Sequence, residues 1–413
     1  MNNLTKPFTL VRLLSMFHKI VITSAIVMAV TLTSHSGEAQ TLKTILSFNG
    51  QSDGAYPSSG LTVDAKGNGY GTTQSGGIFN FNGGTVYRLN RNGHETVLYS
   101  FCAQTNCVDG ATPYGGVILD SSGNLYGTTS AGGAFGFGVV FKLDSSGNET
   151  VLYSFKGLAE GDGASPAYGN LVRDAAGNLY GATLNGGQSC SYSTAGCGVI
   201  YRISPAGKET TVHVFTGASD GGLPPWNPMV SSGALYGTTF NGGSGGCGVL
   251  FKIASNGQLT VLHNFGCTEG DASGPNAGLI RDSAGTLYGT TAFGGIQSQG
   301  TVYNLVPSTG VETVLYMFTG GTSDGCVPGL ANLTLDASGN LYGTTPSCGA
   351  SGTGVIFKLD AARNESVLYS FTDGTDGGVP QSTLLRDAAG NLYGTTYFVN
   401  GFSCCGTVFK FTP

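Results

Sequence analysis

Seven aspartates precede a proline in segments such as "SDGAYP", "VDGATP" and "SDGGLPP": Asp53, Asp109, Asp162, Asp220, Asp271, Asp324 and Asp376. Seven carboxylates could bind cations or sugar hydroxyls. Asp-Gly also turns a chain while its carboxylate caps backbone N–H groups, and a single active site seldom needs seven equal copies. A second acidic set, Asp64, Asp120, Asp174, Asp282, Asp336 and Asp387, sits in D-x-x-G-N segments (D-x-x-G-T at Asp282), the spacing of a hairpin turn. "VSSGALYG" (Val230–Gly237) lacks it, so no chemistry requires the full set. A cation series follows the same rhythm: Arg88, Lys142, Arg202, Lys252, Lys358 and Lys410, with Asn304 in the remaining place. These can pair with a turn carboxylate or lie over an aromatic ring.

Catalytic constellations are sparse. Beyond the first forty residues the histidines are His94, His213 and His263. A Ser-His-Asp arrangement needs a base held within reach of its nucleophile, and these three fall in one turn and two outer strands. Glu95, Glu149, Glu209, Glu312 and Glu365 repeat at one hairpin position and read as structural. Glu160 and Glu269 break the pattern and are the only acidic candidates for glycoside hydrolysis; both read as solvated. The departures from repetition are aromatic. Trp226, the single tryptophan, lies in "LPPWNP", and Phe79, Phe81, Phe135, Phe137, Tyr192, Phe293, Phe398 and Phe402 lie in glycine-rich loops. They could stack on sugar rings or hold a peptide, or they could plug a channel mouth and cover neighbouring elements.

The elements that must position these residues are written as a repeat. The tyrosine of "GNLYGTT" recurs at 70, 126, 180, 236, 288, 342 and 393, in steps of 51 to 56 residues. Each unit holds four strand-like runs, for example "NLVRD" (Asn170–Asp174), "NLYGAT" (Asn178–Thr183), "GVIYRIS" (Gly198–Ser204) and "ETTVHVF" (Glu209–Phe215). Apolar, β-branched and aromatic runs broken by Gly, Asn and Asp are strand and hairpin chemistry. Four strands per unit, seven times over, predict an all-β, seven-bladed β-propeller; a β-solenoid would use shorter rungs. "TLKTILSF" (Thr41–Phe48) reads as a lone outer strand, and "GTVFKF" (Gly406–Phe411) ends the last unit one strand short. The N-terminal strand should therefore complete the last blade, residues 380–413 plus 41–48. With strands named A to D from the axis outward, the D-to-A and B-to-C loops share one face, where propellers usually bind. The A-to-B and C-to-D turns share the other.

The pattern "DAAGNLYGTT…GG…GTVFKLD…GNETVLYSF…DGA.P", covering about residues 42–413, resembles the GloVer (Gloeo/Verruco) tandem-repeat family of exported bacterial proteins. That resemblance implies a propeller and export. Members often carry a C-terminal surface anchor, which is not expected for this chain, and no catalytic residue carries over.

Composition agrees with an ordered, glycine-turned β fold. Glycine is 70 of 413 residues, and charged residues are 10% against a usual ~25%. Residues 1–39 read as a secretory signal: Lys6, Arg12 and Lys19, the apolar "IVITSAIVMAVTL", then Gly37 and Ala39 as small cleavage-site residues. A retained membrane helix is the alternative. Cleavage would leave 15 basic and 23 acidic residues, net −8, a poor match for nucleic acid. Ten cysteines in an exported chain favour disulfides. Cys102 with Cys107 and Cys190 with Cys197 are close pairs, and Cys247/Cys267 and Cys326/Cys348 follow by elimination. Cys404 and Cys405 are either a vicinal disulfide or two free thiols. No C-x-x-C or H-x-x-x-H spacing supports a metal, and no cofactor is expected. The expectation is a monomeric, periplasmic or extracellular binding module. Its ligand would be a glycan or another surface macromolecule, held by the loop aromatics and the seven loop aspartates. A polysaccharide lyase or hydrolase on the same face and a purely structural envelope protein are the rivals.

Overall fold

The computed structural model describes residues 40–79, 82–166, 168–224, 228–329, 331–399, 401 and 404–413. From Thr41 to Pro413 the chain forms one compact unit of seven antiparallel blades of four strands each. Blade 1 is typical: A is Thr62–Val63, B Gly69–Thr73, C Thr85–Leu89 and D Glu95–Ser100. Blade 7 takes A (Leu385–Arg386), B (Leu392–Phe398) and C (Thr407–Thr412) from the end of the chain and D (Thr41–Ser47) from its beginning. Thr41 pairs with Thr412 and Ser47 with Thr407. This is the closure that the truncated first and last units require, and it leaves no open seam.

Strand A is shorter than the repeat suggests, two residues in most blades. The cause lies just upstream. Tyr56, Thr112, Ser165, Leu223, Val327 and Val379 all have φ between 50° and 60°, and Gly274 has φ 62° in the equivalent place. Each stands directly before a proline, which has no N–H for a ladder. The left-handed residue kinks the chain, and where pairing with strand B reaches the proline it stops there, so the inner strand is interrupted. In blade 3 the segment before the break, Gly163–Pro166, still pairs with B, and Val172–Arg173 pairs with B below it.

The strained residues are held by their neighbours. The N–H of each donates to a carbonyl of the preceding blade: Tyr56 to Cys405 (2.8 Å), Thr112 to Gly83 (2.9 Å), Leu223 to Cys197 (2.9 Å), Val327 to Gln299 (2.7 Å). The prolines that follow dock on the glycine that opens strand C of that preceding blade. A Cβ on Gly84 would lie 2.6 Å from Pro113, and one on Gly406 would lie 2.5 Å from Pro57. Glycine is needed there both for its positive φ (83° and 88°) and for the close approach.

Packing between blades repeats as faithfully. The last residue of each D run is a buried phenylalanine that meets the C-strand ring of the next blade, edge-on everywhere except the tilted Phe215–Phe251 pair. Phe101 meets Phe141 at 5.0 Å, Phe155 meets Tyr201 at 5.0 Å, and Phe318 meets Phe357 at 5.1 Å. Phe48, from the N-terminal strand, meets Tyr87 of blade 1 at 5.2 Å, so the ring of contacts closes. Such pairs contribute about 0.5–1.5 kcal/mol beyond burial. The C-strand ring needs space over strand B, and the inner glycine of "LYGTT" provides it: a Cβ on Gly127 would sit 2.6 Å from Phe141. Among the described residues no helix is long and apolar enough to cross a membrane.

Candidate functional site

Many of the repeated charged groups hold neighbouring parts of the fold. In the A-to-B turns Asp120 accepts from the backbone and side chain of Asn124 and from the Tyr126 hydroxyl, at 2.9 to 3.0 Å. Partial burial would raise its pKa, but these donors outweigh it and hold the carboxyl below its usual range. Three of the six third-strand cations take the ring option. Lys252, Lys358 and Lys410 lie 5.9 to 6.0 Å from the ring centres of Tyr236, Tyr342 and Tyr393, their cross-strand partners. Among the described residues the one ion pair within 4 Å is His213 with Asp220, at 3.0 Å.

Four of the seven loop aspartates are buried, and Asp53, Asp220 and Asp271 are half-buried. Asp109 is fully buried, Asp324 is 4% exposed, and Asp162 and Asp376 are below a tenth. Asp109 accepts from the Tyr99 hydroxyl and the Ala103 N–H, both at 2.9 Å. Asp162 does the same with Tyr153 and Lys156, Asp324 with Tyr316 and Thr319, Asp376 with Tyr369 and Thr372. In the other three boundaries His213 binds Asp220, Gly266 N–H binds Asp271 and Asn49 N–H binds Asp53. Each carboxylate thus pins the end of an outer strand to the loop that follows it. At six of the seven the next residue is a glycine packed on a buried threonine of strand B, such as Gly110 on Thr129, and Ala272 follows Asp271.

The remaining acids and histidines do not converge. Glu160 and Glu269 are exposed on separate loops, and His94 is in an exposed turn. His263 is half-buried beside Asp271, and burial holds its pKa down. Among the described residues no three His, Cys, Asp or Glu side chains are placed to share a metal ion.

The loop-rich face is distinctive in two other ways. All ten cysteines lie on it, and their sulfurs are joined in five pairs: Cys102–Cys107, Cys190–Cys197, Cys247–Cys267, Cys326–Cys348 and Cys404–Cys405. Two of these, Cys247–Cys267 and Cys326–Cys348, tie a B-to-C loop to a D-to-A loop. The face also carries most of the exposed aromatics. Phe79 is 55% exposed, Phe135 53% and Phe293 48%, with Phe137 and Tyr192 at 42%. These stand apart on the B-to-C loops of blades 1, 2, 3 and 5. Phe137 leans over Gly157, and Phe293 meets Phe240 edge-on at 6.1 Å. Trp226, Phe81 and Phe402 lie outside the described residues.

Nearer the axis four tyrosines gather. Tyr397, at the end of strand B in blade 7, stacks on Tyr56 at 5.0 Å and touches Phe398 at 4.7 Å. Its hydroxyl donates to Oε1 of Gln74 in blade 1, at 2.8 Å. Tyr114 and Tyr168, on the loops entering blades 2 and 3, meet edge-on at 5.0 Å. Burial and then the proximity of Tyr114, Tyr56 and Tyr168 push the Tyr397 phenol up to about 12. The chain runs on from these loops into the axial cavity, about 260 Å³, lined by Ser59, Asn170, Asn332 and Thr383 among others. Sequence reasoning missed Tyr56, Tyr114 and Tyr168 because they occupy different offsets from the loop proline. The available signal was that each interrupts an otherwise repeated loop.

The fold recurs in solved structures. Two structures of the extracellular domain of one B. thetaiotaomicron protein, described in one as a hybrid two component system and in the other as a one component system, match at 13% identity. Their TM-scores are 0.56 and 0.53, over 89% and 86% of this chain. This chain spans about two fifths of those chains' length (39% and 38%). A gluconolactonase from Xanthomonas campestris matches at 13% identity and TM-score 0.42, over 91% of this chain and 89% of its own. No curated protein matches. The model of the Gloeobacter/Verrucomicrobia repeat matches residues 30–194, 159–336 and 328–413. With its seven repeats now seen as the blades of one wheel, the chain belongs to the Gloeobacter/Verrucomicrobia repeat family.

Proposed function

We propose that the protein is an exported, non-catalytic binding module that holds a glycan on its loop-rich face. The observation that carries this reading is the tyrosine group Tyr56, Tyr114, Tyr168 and Tyr397 over the axial cavity. It departs from the seven-fold repeat, so the scaffold does not require it. Rings with hydroxyl tips, beside the Gln74 amide, suit the alternating apolar and hydroxylated faces of a sugar. The disulfides on this face favour an oxidising compartment, periplasmic or extracellular, and hold the loops in place, which lowers the ordering cost of binding. The exposed ring of Phe137 and those of Phe79, Tyr192 and Phe293 would form an outer rim for a longer chain, with Trp226 and Phe402 as further candidates.

The test is a glycan array probed with the full chain, exported by an oxidising host, beside Tyr56→Ala/Tyr397→Ala and Trp226→Ala variants. The expected result is glycan binding that the tyrosine pair variant loses while its circular dichroism spectrum still reports the folded β structure. Binding that survives in that variant would remove the axial tyrosines from the site. A wild-type chain that binds no glycan would overturn the reading.

A further inference from the structure

One position breaks the repeat at the axis. It is the first residue of "NLVRD", just before the apolar residue that leads into strand A. Blades 3 and 6 place asparagine there, Asn170 and Asn332, and the other five have Gly, Pro or Thr. Both asparagines line the axial cavity, and both are half-buried. Each spends its Oδ1 in the same way. Asn170 accepts the Gly116 N–H and Asn332 the Gly278 N–H, both at 2.8 Å, which ties each blade to the one before it. Thr383, in the same place in blade 7, makes this tie with a hydroxyl, accepting the Asn332 N–H at 3.0 Å. The tie therefore requires an oxygen and not an amide. The Nδ2 amino groups of Asn170 and Asn332 make no hydrogen bond among the described residues. Blades 3 and 6 stand across the wheel from each other, so a group entering along the axis meets an N–H donor from either side.

Deeper in, the wall is apolar. Val172, Met229 and Leu385 line the same cavity, one or two residues further from the loop-rich face than Asn170, Pro228 and Thr383. Among the described residues no charged side chain lines it. A water needs roughly 10–15 Å³ of such space, so the cavity of about 260 Å³ admits a substituent of several heavy atoms. Charge narrows the choice of substituent. The loops of this face carry the seven loop aspartates with Glu160, Glu269 and Asp373, against one cation, Lys156. Their field disfavours an anionic sugar. A free ammonium fails for another reason: it brings only donors to amino groups and an apolar wall.

We propose that the glycan of the loop-rich face is an N-acetylated amino sugar whose acetamido group enters the axial cavity, an inference that rests on the glycan reading above. The stacked rings of Tyr56 and Tyr397 carry the pyranose at the mouth. The acetamido carbonyl accepts from Nδ2 of Asn170 or Asn332, and the methyl packs on Val172 and Met229. The acetamido N–H donates to Thr383 Oγ1, whose second lone pair is an acceptor site.

The test is calorimetric titration of the full chain with three trisaccharides: triacetylchitotriose, its deacetylated counterpart, and cellotriose, which has a hydroxyl in place of each acetamido group. Wild type should bind triacetylchitotriose about tenfold more tightly than either of the others, the worth of a hydrogen bond and a buried methyl. An Asn170→Thr/Asn332→Thr variant keeps the oxygens that tie the blades, as Thr383 does. It should weaken triacetylchitotriose by about tenfold and leave cellotriose unchanged. Val172→Phe fills the cavity from its wall and should remove the same preference. Equal affinity of wild type for the three sugars, tighter binding of the deacetylated one, or a preference that survives both variants would overturn the proposal and leave the glycan reading standing. The wild-type comparison decides even if a variant does not fold. A chain that binds none of the three but binds other glycans on the array would overturn the proposal alone, and one that binds no glycan at all would overturn both.

Discussion

Single residues decide how this wheel responds to pH. Glu95, Glu149, Glu312 and Glu365 sit half-buried between blades, each with Oε1 buried and unpartnered. Burial first, and then the neighbouring Asp53, Asp109, Asp271 or Asp324, pushes each up to about 7. The unfolded value is near 4.3. A carboxyl whose folded pKa is raised binds its proton more tightly when native. Its contribution is fully present below the unfolded pKa and is lost as pH rises through 7. Melting temperature should therefore fall between pH 5 and pH 8, and a Glu149→Gln/Glu365→Gln variant should melt higher than wild type at pH 8 with a shallower slope. A flat wild-type profile would refute the argument. Sterics at the same scale predict that Gly127→Ala costs about 1–3 kcal/mol in denaturant titration, because its Cβ meets the Phe141 ring. The letters of "GNLYGTT" were legible as strand and turn from their types alone. The partner of each was not, because Phe141 and the loop aspartates reach it through the fold and not along the chain.

At the scale of elements, the loops of one face are stapled and the turns of the other are not. Loop closure ranks the staples. Cys326–Cys348 spans 22 residues and Cys102–Cys107 spans 5. Chain entropy assigns about 3 kcal/mol to the first and about 2 kcal/mol to the second. Replacing Cys326 and Cys348 by serine should lower stability more than replacing Cys102 and Cys107, as read by denaturant midpoints under non-reducing conditions. The reverse order would mean that native contacts dominate. Four pairings were legible as candidates, two from closeness within one loop and two by elimination, whereas adjacent Cys404 and Cys405 left bonded and free states equally open. The interrupted inner strand was not, since it depends on a left-handed residue before each proline, and Val327 or Val379 would ordinarily be read as strand. The tyrosine group was hidden for a related reason. Positions 56, 114, 168 and 397 share no offset, and only the closing of the ring brings 397 beside 56.

For the whole molecule, closure is the point where one short segment governs everything else. Thr41–Ser47 covers the free edge of Thr407–Thr412, and Phe48 supplies the seventh aromatic contact, against Tyr87. A chain beginning at residue 50 would keep the Tyr56 bond to Cys405, but it would bare a six-residue strand edge and half of an apolar interface. An exposed edge of that kind pairs with another copy. The truncated chain should melt at a lower temperature and form oligomers in size-exclusion chromatography. A synthetic peptide of residues 40–49 added in trans should restore the monomer and most of the lost melting temperature, by the same strand addition that closes the native ring. A scrambled peptide of equal composition should do neither. A truncated chain that stays monomeric with an unchanged melt would mean that six complete blades and an open seventh are already sufficient, and that the N-terminal strand is an ornament of the fold instead of its clasp.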